Sequence, residues 1–106
     1  MEESKNKKIM DIKVEAVHFD ADKKLVDFIN EKVNKLEHFY DHIIGGEVFL
    51  KLDKPSEKGN KIAEIKIAVP GKDLFAKKQS HSFEEATDLC VDALKRQVEK
   101  HKIKVK

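Results

Sequence analysis

A chain of 106 residues is sized for one domain with a single core. Its 22 Lys/Arg against 20 Asp/Glu give a net charge of +2, and 40% hydrophobic with 40% charged residues describes a thin core under a highly charged surface. That composition holds no apolar run near the roughly 20 residues that span a bilayer, and the single cysteine, Cys90, excludes an internal disulfide, so a cytoplasmic location is expected.

Residues 1–9 are polar and aperiodic, lack the apolar segment of a secretory signal, and read as a disordered leader to a folded domain over 10–106. From Met10 to Val17, Ile12, Val14 and Ala16 alternate with Lys13 and Glu15, the period of a strand. Asp20 and Asp22 then offer caps to a helix expected over Lys23 to Tyr40. Its apolar face is Leu25, Ile29, Val33, Leu36 and Tyr40. Gly45-Gly46 reads as punctuation before a second strand carrying Val48, Leu50 and Leu52. A loop from Lys54 to Asn60 leads to a third strand with Ala63, Ile65, Ile67 and Val69 inward. Pro70-Gly71 is a tight-turn pair, and Leu74 and Ala76 belong to a fourth strand paired through it. Ser82-Phe83-Glu84-Glu85 is a capping box that opens a final helix with the stripe Phe83, Ala86, Cys90, Leu94, Val98.

The order β-α-β-β-β-α predicts an α+β fold: a mainly antiparallel four-stranded sheet with both helices packed on one face. Lys13, Glu15, Glu47, Lys51, Glu64 and Lys66 are then expected on the opposite, wetted face, with Phe49 among them.

Charge is distributed unevenly along this frame. From Lys95 to Lys106 six Lys/Arg stand against one carboxylate, Glu99, whereas the start of the same helix carries Glu84, Glu85, Asp88 and Asp92. On the first helix Lys24, Lys32 and Lys35 fall within about an 80° arc beside the apolar stripe. Arg96 and Lys100 are an i, i+4 pair on one flank of the last helix. The expected arrangement is a basic channel with these two borders as its walls and Lys77-Lys78 at one end. Such a channel suits phosphate and shape readout, through about four to six contacts. Lysines also border apolar stripes because their stems snorkel, and cations at a helix C-terminus offset its dipole, so each one alone reads as a solvated charge.

No Gly-rich phosphate loop, nucleophile elbow or His-Glu-x-x-His is present. His38 and His42 have helical spacing without an evident third ligand, and Cys90 lies mid-stripe as a small core residue. No cofactor, metal, small-molecule substrate or enzymatic activity is expected.

Lys32-Val33-Asn34-Lys35-Leu36-Glu37, Leu94-Lys95-Arg96-Gln97-Val98-Glu99-Lys100-His101-Lys102 and the turn Pro70-Gly71 followed by Leu74 and Ala76, in this order, resemble a short form of the ribosome hibernation-promoting factor family. The resemblance runs from about Met10 to Lys102. It implies a fold similar to double-stranded-RNA-binding domains. It also implies a partner, the small ribosomal subunit and its rRNA, bound in the channel of messenger and transfer RNA, with translation silenced under stress or slow growth. Lys32, Lys35, Arg96 and Lys100 match basic family positions; Lys24, Lys77, Lys78 and Lys102 are added on local charge. Ala93 departs from the usual basic residue before the leucine of the last helix, and Phe83-Glu84 from a hydrophobic-tyrosine pair. The chain ends at Lys106 without the C-terminal dimerisation domain of long members, so a monomer is expected. Two other readings of the same residues are an RNA-binding module acting away from the ribosome and a domain whose charged helices dock on an acidic protein.

Overall fold

The computed structural model describes residues 11–104 except 56 and 58, with side chains followed to residue 102; the expected leader over 1–9 lies outside the described residues. Strand β1 (Asp11–Ala16) is followed by helix α1 (Lys23–Asn34), strands β2 (Gly45–Leu52), β3 (Lys61–Val69) and β4 (Lys72–Ser80), and helix α2 (Phe83–Lys104). The sheet order is β1-β2-β3-β4, with β1 and β2 parallel and the other pairs antiparallel. A parallel neighbour requires a crossover, which α1 supplies. The α+β fold with both helices on one face is as expected from the hydrophobic periods.

The inner face of the sheet holds Val48, Leu50, Ala63, Ile65, Ile67, Leu74 and Ala76, all buried, against Ile29, Val33 and Leu36 of the first helical region and Phe83, Ala86, Cys90, Leu94 and Val98 of α2. On the outer face the register sets Lys13, Glu47 and Lys66 in one row and Glu15, Phe49, Glu64 and Lys77 in the next. The charges there pair across strands: Lys51–Glu64 at 3.0 Å, Lys66–Glu47 at 3.4 Å and Lys77–Glu64 at 3.8 Å.

Both helices start as their caps predict. The Asp22 carboxylate accepts from Leu25 N–H at 2.9 Å, and Ser82 Oγ accepts from Glu85 N–H at 3.0 Å. Phe19 stacks on Phe83 with ring centroids 5.2 Å apart, tying the two helix starts together. The helices therefore run in the same direction, start beside start.

Two expectations about boundaries are corrected. The first helix does not run to Tyr40: α1 ends at Asn34 and tightens into a 3-10 turn over Lys35–His38, with Phe39 N–H bonding Leu36 C=O at 3.0 Å. This breaks the helical spacing of His38 and His42 and turns Phe39 and Tyr40 toward α2. Gly45 and Gly46 lie inside β2 rather than before it. A Cβ on Gly46 would stand 2.9 Å from Ile67 Cδ1 and 3.2 Å from Lys66 O, and one on Gly45 would stand 3.0 Å from Asp11 O. These glycines admit neighbouring strands closely, a use of glycine that looks like a turn in a linear sequence. The true turn is Pro70-Gly71, where Gly71 has φ +89° and Val69 pairs with Lys72.

Cys90 is fully buried, and its thiol donates to Ala63 C=O at 3.2 Å. Burial pushes the thiol up from 9.0 to about 11, against a smaller downward pull from Lys78. Because the folded value lies above the unfolded one, the stability this neutral thiol supplies is intact below pH 9.0 and is lost as pH rises through about 11. The native chain should therefore resist thiol alkylation at about pH 8 and react only on unfolding; rapid labelling of folded protein would contradict the burial.

Candidate nucleic-acid interface

The stripe of α2 that faces the sheet fixes where its other side chains point. At 100° per residue, Asp88, Lys95 and Lys102 share one flank, and Arg96 and Lys100 share the other. Contacts identify the two sides. Lys32 Nζ lies 3.2 Å from Asp88 Oδ1, and Lys95 Nζ lies 4.6 Å from the centroid of the Phe39 ring, so the first flank faces α1 and the turn that follows it. Gln97 Nε2 donates to Phe75 C=O at 2.8 Å, and Lys100 shares a small surface pocket with Lys72, Leu74, Gln97 and His101, so the second flank faces β4.

The expected channel is thus not formed. Lys24, Lys32 and Lys35 do share a border of the first helical region, and Lys32 shows that this border faces α2. Opposite them stand Asp88 and then Lys95 and Lys102, while Arg96 and Lys100 lie over the far shoulder of α2. The sheet-facing stripe is the physical cause: burying Cys90, Leu94 and Val98 leaves Arg96 and Lys100 no way to reach the α1 side. Lys77 is also elsewhere, on the outer sheet face with Glu64, whereas Lys78 lies on the helix side of β4 near Cys90. Alternation along the strand sends these two neighbours to opposite faces of the sheet.

What the structure makes instead is a cationic ridge. The C-terminal half of α2 carries Lys95 and Lys102 on one shoulder and Arg96 and Lys100 on the other, all exposed. Asp92 and Glu99 lie on the crest between them. Lys72 and Lys78 of β4 extend the second shoulder, and Lys35 stands at the end of α1 on the first. Lys104, counted in the basic run, has no described side chain, and Lys106 lies outside the described residues. Lys95 and Lys72 join this candidate surface, although the sequence pattern alone does not place them there. The i, i+7 spacing of Lys95 and Lys102 is legible in the sequence, but the neighbour it faces, like the approach of Lys72 to Lys100, depends on the tertiary fold.

The trough between α1 and α2 is electrically mixed. Asp88 is half-exposed and holds the Lys32 ammonium group, which also lies 5.4 Å from the Phe28 ring centroid. Asp88→Asn should release Lys32 and remove a repelling charge, raising affinity for a polyanion about threefold at a cost below about 1 kcal/mol of stability. Unchanged or weaker RNA binding by this variant, measured by fluorescence anisotropy at fixed salt, would place the RNA away from Lys32.

Among the described residues no three His, Cys, Asp or Glu side chains gather as a metal site, and no described helix is long and apolar enough to cross a membrane.

Comparison with known proteins adds three findings. A family model described as Sigma 54 modulation protein / S30EA ribosomal protein matches residues 12–106. The chain is 32% identical over 83 residues to the ribosome hibernation promotion factor of Bacillus subtilis and 35% identical over 80 residues to the ribosome hibernation promoting factor of Klebsiella oxytoca. Each match covers 76% of this chain; it spans 42% of the Bacillus protein and 80% of the Klebsiella one. A ribosomal subunit interface protein from Coxiella burnetii has the same fold, with a TM-score of 0.79 at 21% identity over 89% of this chain and 99% of that one.

Proposed function

The chain belongs to the Sigma 54 modulation protein / S30EA ribosomal protein family, and from that membership we infer that it is a ribosome hibernation factor that silences translation under stress or slow growth. In this reading residues 10–106 act in the cytoplasm as one monomeric, non-enzymatic ribosome-binding domain. They bind rRNA of the small subunit in the channel of messenger and transfer RNA, and occupancy alone keeps both RNAs out.

The observation that carries this reading is the ridge on α2. Four exposed cations on two shoulders of one helix, in a chain of net charge +2, concentrate positive charge where a convex rod can enter a groove of folded RNA. Arg96 is suited to grip phosphate through its planar fork, and the lysines act as point charges. The outer sheet face, where lysines and glutamates pair, offers no such excess.

Sucrose-gradient fractionation of lysates from starved and growing cells tests the proposal. The protein should sediment with ribosomal particles containing the small subunit in starved cells and move to the top of the gradient when salt is raised. Recovery only in soluble fractions at low salt would exclude the ribosome as its partner, and equal affinity for plain duplex RNA would favour an RNA-binding module acting elsewhere.

A further inference from the structure

At the C-terminal mouth of the trough, Tyr40, His42, Pro70 and Lys102 line an open cleft of about 550 Å³. These residues come from three separate places: the segment after α1, the β3–β4 turn and the end of α2. Tyr40 is held before any ligand arrives. Its ring meets the His42 ring edge-on with centroids 5.2 Å apart, and the buried His101 ring edge-on at 5.5 Å. Pro70 sits in a turn fixed by its own φ and by the positive φ of Gly71. A rigid surface of two rings and a proline, with one ammonium group at its rim, matches a flat heteroaromatic ring attached to a phosphate. Paired bases in a helix keep their faces stacked on one another, so only an unpaired base can enter.

We propose that this cleft takes one unpaired nucleobase of single-stranded RNA, stacked on the Tyr40 ring and bounded at its edge by the His42 ring, which stands at 68° to Tyr40, with the adjoining phosphate on Lys102. The proposal rests on the RNA-binding reading of the ridge and adds a base-dependent site to it. Lys95, one helical repeat before Lys102 on the same shoulder, continues the phosphate path from the cleft along the trough.

Tyr40 is the only tyrosine of the chain, so its ring signals in the aromatic NMR spectrum report this cleft alone. The full chain is titrated with a short unstructured RNA oligonucleotide and with the same oligonucleotide carrying abasic sites. The intact RNA should shift the Tyr40 ring signals upfield and bind roughly fivefold or more tightly than the abasic one. His42→Ala, at an exposed position, should remove most of that difference while leaving abasic binding unchanged. Equal affinity for both oligonucleotides with unmoved Tyr40 signals overturns the cleft and leaves the ridge standing. Failure of both to bind at low salt overturns the RNA reading itself.

Discussion

Reversing Arg96 and Lys100 together to glutamate should lower affinity for isolated small ribosomal subunits by about a hundredfold at moderate salt, because two phosphate contacts become two repulsions. Both side chains are exposed on the β4 shoulder of α2, and neither touches the core stripe. The cost to folding is correspondingly small. Carboxylates near a helix C-terminus oppose the macrodipole, for a total of about 1 kcal/mol. Binding and stability should therefore separate cleanly: a large loss in a sedimentation or anisotropy assay, with a denaturation midpoint little changed. Lys77→Glu serves as a contrast, since Lys77 already neutralises Glu64 on the outer face and should leave subunit affinity within about threefold of the parent. If Lys77→Glu weakens binding as much as the double reversal, the RNA lies against the sheet and the ridge is the wrong surface.

The second large effect is on stability. Leu94 is fully buried where α2 meets β3 and β4, next to the cations of the ridge. Leu94→Ala removes its contacts and leaves a cavity beneath the helix, at a cost of about 3 kcal/mol. For a domain of this size that corresponds to a fall of about 15 °C in melting temperature. Total stability of such domains is only about 5–15 kcal/mol, so the loss is a large fraction of it. Binding should suffer only in proportion to the unfolded fraction, because the ridge cations keep their places in the folded form. Calorimetry and urea unfolding check the magnitude. A loss below about 1 kcal/mol would mean that α2 does not rest on the sheet through this residue.

Leu94, Arg96 and Lys100 lie within two turns of a helix whose role divides by angle, and that division explains what sequence reading could reach. The alternation of Ile12, Val14 and Ala16, the inward rows of β2 to β4 and the stripe from Phe83 to Val98 are short-range patterns, and they located the elements and the core. The caps at Asp22 and Ser82 were legible for the same reason. The glycines of β2 were not, because the close approach they permit involves Ile67 and Asp11, distant in the chain. The tightening after Asn34 carries no proline or glycine to announce it.

Most cations of the candidate surface were legible in the sequence, and their arrangement was not. Lys32, Lys35, Arg96, Lys100 and Lys102 were all found as cations beside apolar stripes, yet a stripe has two borders. Which border meets which neighbour depends on how the helices sit on the sheet. Asp88 shows the consequence: it stands opposite Lys32, on a border that a symmetrical channel would have lined with cations. The same limit hid the cleft around Tyr40, whose members lie at residues 40, 42, 70 and 102 and meet only when both helices and the hairpin turn are in place.

The most direct measurement is the affinity of the purified chain for isolated small subunits as a function of salt. With about four to six phosphates engaged by the ridge, the logarithm of the binding constant should fall against the logarithm of salt with a slope of about −3 to −5, and the Arg96/Lys100 double reversal should flatten it by about two. A slope near zero, or a steep one that the double reversal leaves untouched, would contradict phosphate recognition by this end of α2.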